Sequence, residues 1–354
     1  MIDKRALKDK IDNGKLGKNK GLPHGFDRLV EYLPGIQQST YYLCGAESSV
    51  GKSAFINNSF VFNPIDWYLA NKNKTDVKLK IHYYSFEISK EMMLYKAVCR
   101  KIWLDKGILL DINYILSRGK YRISEEHYKL VIDTLDYFDE MGDLLSISDI
   151  PQNPTGIWHD QLKYAKENGK GLTEDYRLEG DYTPNNSNLY NLVVIDHISL
   201  VKKERGFNTK DLIDKLSEYL IILRNKCNFT PVVVQQLNRA GNDPVRLKTG
   251  KMEPMLSDFK DSGNTIADCN VCMSLFSPAR YEMEEHRNYI IDPSKNGLGG
   301  RYRSLQILKN RDGEADKTIG LQFIGEVGHF SELPKASDMK EPNYSKIKQI
   351  KKDF

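Results

Sequence analysis

Ala46-Glu47-Ser48-Ser49-Val50-Gly51-Lys52-Ser53 brings small residues, a lysine and a hydroxyl together at a spacing suited to holding phosphates. The apolar run Thr40-Tyr41-Tyr42-Leu43-Cys44 before it reads as a buried strand, and Ala54-Phe55-Ile56-Asn57-Asn58-Ser59-Phe60 after it reads as the start of a helix. A strand, a tight loop and a helix in that order turn successive backbone N–H groups and a helix N-terminus into an anion site. Lys52 then reaches the β- and γ-phosphates of a nucleotide, and the Ser53 hydroxyl ligates Mg²⁺. Ala46 stands where such a loop ordinarily opens with glycine, and Gly45 lies just before it. Gly-Lys-Ser alone also occurs as a chance turn, so the rest of the chain has to decide.

Three further strand ends carry suitable groups. Asn191-Leu192-Val193-Val194-Ile195-Asp196 is an apolar run closed by a carboxylate. Ligands of parallel sheets sit beyond the carboxyl ends of the strands, which places Asp196 to hold Mg²⁺, through water. Its plain alternative is to cap the following turn. Ile81-His82-Tyr83-Tyr84-Ser85-Phe86-Glu87 ends in Glu87, suited to polarising a water for attack on the γ-phosphate. The alternative for Glu87 is a surface acid at a helix start, since Ser89-Lys90-Glu91 opens a helix. Pro231-Val232-Val233-Val234-Gln235-Gln236 ends in amides, and Gln236 is the candidate to bond the γ-phosphate and report its loss.

The elements that position these groups alternate. Strands are expected at 40–45, 79–86, 144–148, 190–196, 230–235, 270–276, 303–310 and 318–324. Helices are expected near 52–61, 89–105, 124–139, 155–167 and 210–227. Buried strands separated by helices indicate a mostly parallel α/β sheet flanked by helices. Residues 168–189 and 278–302, polar and rich in glycine, asparagine and proline, read as surface insertions. The Lys-rich residues 335–354 read as a mobile tail. The chain of 354 residues, 40% hydrophobic, is long enough for a large core. A net charge of +4 assigns nucleic-acid contact to a local patch or to loops gathered in an oligomer. The five cysteines are an odd number and read as reduced thiols; Cys269 and Cys272 form a CxxC without a second pair, which favours core packing over zinc. No apolar run suits a membrane span or an N-terminal signal, and a soluble, cytoplasmic protein is expected.

Taken together, the motifs resemble the C-terminal ATPase domain of the DnaB family of ring-shaped replicative helicases. The matching pieces are Gly25-Phe26-Asp27-Arg28-Leu29, Ala46 to Ser53, Ser85-Phe86-Glu87-Ile88-Ser89 and Val194-Ile195-Asp196-His197-Ile198. Gln236-Leu237-Asn238-Arg239, Leu256-Ser257-Asp258-Phe259-Lys260-Asp261-Ser262-Gly263 and Lys309-Asn310-Arg311-Asp312-Gly313 complete them. The resemblance implies a RecA-like P-loop NTPase core over residues 22–333. A basic arm or linker helix at 1–21 and a basic tail at 334–354 flank it.

The same resemblance implies ATP and Mg²⁺ as cofactors and a homo-oligomer, a hexamer, around single-stranded DNA. It implies that Lys260, Asp261 and Gly263 belong to a loop lining the DNA channel, with Lys260 where the family has arginine. Lysine still neutralises phosphate but lacks the planar fork. It implies too that Lys309 and Arg311, two apart on a strand and therefore on one face, reach the γ-phosphate held by the next subunit. Full-length relatives carry a helical N-terminal collar that docks primase. About twenty residues precede the match here, so no collar is expected, and the segment reads instead as a linker helix packing on a neighbour. A primase or loader remains a candidate partner, and the small form suits a phage or other mobile replicon, in the host cytoplasm. Two other readings stand beside the helicase: a RecA- or RadA-like ATPase that forms filaments or regulates, and a non-catalytic ring or packaging component. The Lys309/Arg311 hairpin and the 256–263 loop favour the helicase over the first. Retention of Lys52, Ser53, Glu87 and Asp196 argues against the second.

Overall fold

The computed structural model describes residues 4–175, 177–237, 243–352 and 354, without the side chains at 5, 6, 9, 178, 179, 247, 260–263 and 348. In chain order the strands are β1 (Tyr42–Ala46), β2 (Lys78–Ser85), β3 (Leu145–Ser148), β4 (Gly169–Leu172), β5 (Leu178–Pro184), β6 (Leu189–Asp196) and β7 (Phe229–Gln236). They continue as β8 (Val271–Phe276), β9 (Glu285–His286), β10 (Tyr289–Ile290), β11 (Tyr302–Asn310), β12 (Lys317–Ile324) and β13 (His329–Glu332). Among the described residues one nine-stranded sheet has the order β13-β12-β11-β8-β1-β7-β6-β2-β3. Its strands from β3 to β8 run parallel, and β11, β12 and β13 add an antiparallel edge.

Strand periodicity builds the core on both faces. Tyr42, Cys44, Val194, Val232 and Val234 face one apolar layer, with Phe55, Ile56, Phe60 and Ile65 of the helical run after the phosphate loop. Leu43, Val193, Ile195 and Val233 face the other layer, with Leu212, Leu216, Leu220 and Leu223 of the helix Thr209–Cys227. Alternation puts successive side chains on opposite faces, and helices on both faces bury them. All eight strands expected from the sequence are present within two residues. The expected helix at 52–61 continues through a π-helical turn at Asn57–Phe62 into Asn63–Asn71.

Three segments differ from expectation. Strands β4 and β5 pair antiparallel as a two-stranded sheet, and the Tyr182 hydroxyl donates to Ala165 O at 3.1 Å. Residues 278–302 are not merely a surface insertion. Tyr289, Ile291, Leu298 and Tyr302 form a small buried cluster with Leu333. The supposed mobile tail forms a helix, Glu341–Lys348, whose Tyr344 and Ile347 complete that cluster. Aromatic and aliphatic side chains dispersed among lysines supplied the anchor there. All five cysteines are buried, as core packing requires.

Gly45 is needed for a close approach. A Cβ there would lie 2.4 Å from the Phe259 ring and 2.9 Å from Leu237. Phe259, fully buried, thereby seats the 256–262 segment directly on β1, next to the phosphate loop. Gly45→Ala is expected to destabilise the protein by roughly 1–3 kcal/mol through overpacking. Combined with Phe259→Leu, it should cost less than the sum of the two single changes. Urea unfolding of the four proteins measures this, and strict additivity would refute the contact.

Candidate nucleotide site

The parallel register brings the chemistry to one edge of the sheet. Ala46 pairs with Gln236 and Ser85 with Asp196, so the ends of β1, β7, β2 and β6 lie together. Beyond β1 the chain turns through Glu47–Gly51, with Ser49 at φ 61° and Gly51 at φ 110°, and enters the helix at Lys52. Alternating backbone handedness of this kind curls a loop around an anion-sized hollow. A cleft of about 290 Å³ opens over the loop, lined by Ser48, Ser49, Gly51, Lys52, Ser53 and Glu87 among others.

Lys52 is only 4% exposed. Its Nζ lies 3.7 Å from Glu87 Oε2, and Glu87 itself is half-exposed at the cleft. The turn that carries Glu87 is pinned: the Phe86 amide donates to Asp196 O at 2.7 Å and the Ser85 hydroxyl to Ile88 O at 2.6 Å. Ser89 then caps the helix Lys90–Lys106 by accepting from the Met92 amide. Ser53 Oγ donates to Asp196 Oδ1 at 3.1 Å, and the Tyr83 hydroxyl donates to Asp196 Oδ2 at 2.8 Å. Burial pushes the Asp196 carboxyl above its ordinary range, against the pull of those two hydrogen bonds. Burial and the Lys52 charge push the His197 imidazole down. A hydroxyl and a carboxylate in contact below a lysine form a donor set that suits a hard divalent cation.

Of the residues chosen from the sequence, Ala46 to Ser53, Glu87, Asp196 and Gln236 meet at this edge. Ala46 is buried and its carbonyl accepts from the Leu237 amide, while Gln236 is exposed beside it. Asn238 and Arg239 lie outside the described residues, as do the side-chain positions of Lys260, Asp261 and Gly263. Lys309 and Arg311 are elsewhere. Lys309 pairs with Cys272, which pairs with Leu43, so it sits roughly 10 Å down the sheet from Ala46. Both cations bond the end of the helix Gly263–Asp268: Lys309 Nζ donates to Ile266 O and Ala267 O, and Arg311 to Ala267 O. They share a face, as their spacing requires, but not with the phosphate loop of their own chain.

Sequence reasoning missed Tyr83, Arg100 and the loop's contacts with residues 280, 281 and 303. Tyr83 had a usable signal, being two residues before Ser85 on the same face of a strand that ends in an acid. Arg100 lines the cleft and is 2% exposed. It bonds Asn58, Asn63 and Asp66, tying the helix after Glu87 to the helix after the phosphate loop. No local pattern announces that network.

Comparison with known proteins agrees with the motifs. Residues 182–332 match the family described as the DnaB-like helicase C terminal domain. The chain is 24% identical over 327 residues to the replicative DNA helicase DnaB of Geobacillus stearothermophilus, covering 91% of this chain and 59% of that protein. It is 22% identical over 337 residues to the replicative DNA helicase DnaC of Bacillus subtilis (strain 168), covering 93% and 60%. The chain thus spans about three-fifths of the length of the curated relatives it matches. Among solved structures, one described as an ATPase domain superposes with a TM-score of 0.69 at 19% identity, covering 93% of this chain and 98% of that one. A DnaB-like replicative helicase, solved with attention to its interactions with primase, gives 0.65 at 19%, covering 94% and 67%. The RecA-like fold and the DnaB resemblance read from the sequence are borne out.

The raised Asp196 pKa has a stability consequence. A carboxyl whose folded-state pKa exceeds its unfolded value gives stability that is fully present below the unfolded pKa and lost as pH rises through the folded one. At neutral pH the ionised group therefore opposes folding. Asp196→Asn should raise the melting temperature of the nucleotide-free protein at pH 7, and the gain should shrink toward pH 4. Scanning calorimetry across that range checks it; a variant less stable at pH 7 than at pH 4, relative to wild type, would reverse the sign.

Proposed function

We propose that this chain is the ATP-hydrolysing motor of a ring-shaped DNA helicase that moves along single-stranded DNA during replication. The observation that carries this reading is the two-ended arrangement of one subunit. Lys52, Ser53, Glu87 and Asp196 meet at one end of the sheet, and Lys309 and Arg311 are held together toward the other. In this reading the two cations serve a nucleotide bound by a neighbour, which supports a closed homo-oligomer with shared sites, a hexamer. Similarity to replicative DNA helicases over most of the chain, and to the DnaB-like helicase C terminal domain over residues 182–332, supports it.

In this reading the loop amides of Ala46 to Gly51 and Lys52 bind the phosphates of ATP. Ser53 and Asp196 would hold Mg²⁺, which would neutralise charge on the phosphates. Glu87 polarises the attacking water, and Gln236, at the end of β7, senses the γ-phosphate. The loop containing Lys260, Asp261 and Gly263 meets DNA, and its anchor Phe259 packs on β1. The helix Lys4–Lys15 leaves Leu7 56% and Ile11 67% exposed, which supports residues 1–21 as an arm that packs on the next subunit, with 22–333 as the motor.

The test is ATP turnover with and without single-stranded DNA. Wild type should be stimulated by DNA and unwind a forked duplex. Glu87→Gln should bind ATP normally but turn over about 100-fold more slowly, since an amide is a poor base. Lys52→Ala should lose affinity as well as rate. Near-normal turnover by Glu87→Gln would remove that residue from its role, and turnover indifferent to DNA would remove the helicase.

Sharing of sites has its own signature. Arg311→Ala subunits keep an intact phosphate loop and should bind ATP. Mixed into wild-type rings, they should depress turnover beyond their mole fraction, because each disables a neighbour's site. A strictly linear loss, in oligomers shown to be mixed by native mass spectrometry, would count against action in trans.

A further inference from the structure

The phosphate loop is gripped from outside by the segment 278–302 and the strand that follows it. The Tyr281 hydroxyl donates to Glu47 Oε1, and Arg280 Nη1 donates to Ser48 O. Arg303, on β11, donates through Nε to Val50 O at 2.6 Å and through Nη1 to Gly300 O at 2.8 Å and Tyr302 O at 2.7 Å. Its guanidinium lies 4.9 Å from the centre of the Phe323 ring, and that ring abuts Gly51, where a Cβ would come within 3.1 Å of it. Arg303 is 7% exposed, and among the described residues no carboxylate pairs with it. An unpaired buried guanidinium is costly, and burial with the nearby Arg280 charge pushes its pKa down to about 10. Something must repay its place.

Peptide geometry says what. A trans peptide is planar, and its C=O and N–H point in opposite directions. Carbonyls of Ser48 and Val50 that are held outward by guanidinium groups therefore turn the amides of Ser49 and Gly51 the other way, toward the cleft that both residues line. A cation on the carbonyl also polarises the amide, making it a stronger donor. The loop needs such restraint, because Ser49, a residue with a Cβ, sits at φ 61°.

We infer that Arg280 and Arg303 are positioning residues that act through the loop, clamping the carbonyls of Ser48 and Val50 so that the amides of Ser49 and Gly51 are preset for the phosphates of a nucleotide. The inference rests on the nucleotide reading of the site. It gives the segment 278–302 a task in phosphate binding that its sequence does not announce.

The test is calorimetric titration of the full chain with Mg-ADP and with inorganic pyrophosphate, beside thermal melting of each protein. Arg280 is partly exposed, so Arg280→Met tests the clamp without disturbing a buried position. It should weaken both probes about five-fold or more with an unchanged melting temperature, since one aimed donor is lost from each. Arg303→Met should weaken both further, and Arg303→Lys should restore part of the loss by bonding Val50 O alone. Arg287→Met removes a cation from the same segment that pairs instead with Glu253 at 2.8 Å, and it should bind as wild type does. Wild type that binds neither probe would overturn the nucleotide reading and the clamp with it. Wild type that binds, beside Arg280→Met of equal affinity, would overturn the clamp and leave the nucleotide reading standing.

Discussion

The site depends on a carboxylate buried where it is least comfortable. Asp196 is fully buried, and among the described residues the Ser53 and Tyr83 hydroxyls hold its carboxylate. A carboxylate taken out of water is expensive unless its lone pairs are satisfied, and the groups that satisfy these come from different elements. Tyr83 ties β2, Ser53 ties the helix after β1, and the backbone of Asp196 holds the turn before Glu87 through the Phe86 amide. Three strand ends are thereby locked in register around one charge. Under the proposed Mg²⁺ role, this cost in stability would be offset when the cation binds.

Much of this was legible because parallel sheets write themselves plainly. Strands buried on both faces read as unbroken apolar runs, and their acidic or amide ends stand out against them. Asp196, Glu87 and Gln236 each end such a run, and the rule that ligands gather at carboxyl ends brings them together from sequence alone. The phosphate loop was legible for the same reason, as a strand, a loop and a helix in sequence. Lys309 and Arg311 were legible as a pair on one face. Their distance from their own loop followed only from the antiparallel turn of β11 against β8.

What stayed hidden was long-range and polar. Arg303 and Val50 are 253 residues apart, and Arg28 and Glu332, which bond across the antiparallel edge, are 304 apart. Nothing in the local pattern around an arginine says which carbonyl it will meet. The segment 278–302 looked like a surface insertion because its glycines, prolines and charges are those of a loop. Its few aromatics, Tyr281, Tyr289 and Tyr302, are what dock it. The C-terminal residues misled in the same way: lysine content suggested a solvated tail, yet Tyr344 and Ile347 suffice to seat a short helix. Composition averages over a segment, whereas docking needs only two or three well-placed apolar groups.

Gly45 shows how the two parts of the chain to which functions are proposed are joined. Its missing side chain admits the Phe259 ring against β1, one residue before the phosphate loop begins. The Gln235 side chain donates to Phe259 O at 3.4 Å and accepts from Thr265 Oγ1, so β7, beside β1, also holds this segment and the helix after it. Gln236, the next residue, faces the opposite way and stands exposed beside Ala46. Adjacent residues of one strand therefore face opposite ways: Gln235 bonds the segment proposed to meet DNA, and Gln236 stands at the end of the sheet where the site proposed to hold ATP lies. A strand transmits displacement because its pleat cannot shift one residue without moving the next. A change at the γ-phosphate that pulled on Gln236 would strain the Gln235 contacts directly, with no intervening loop to absorb it.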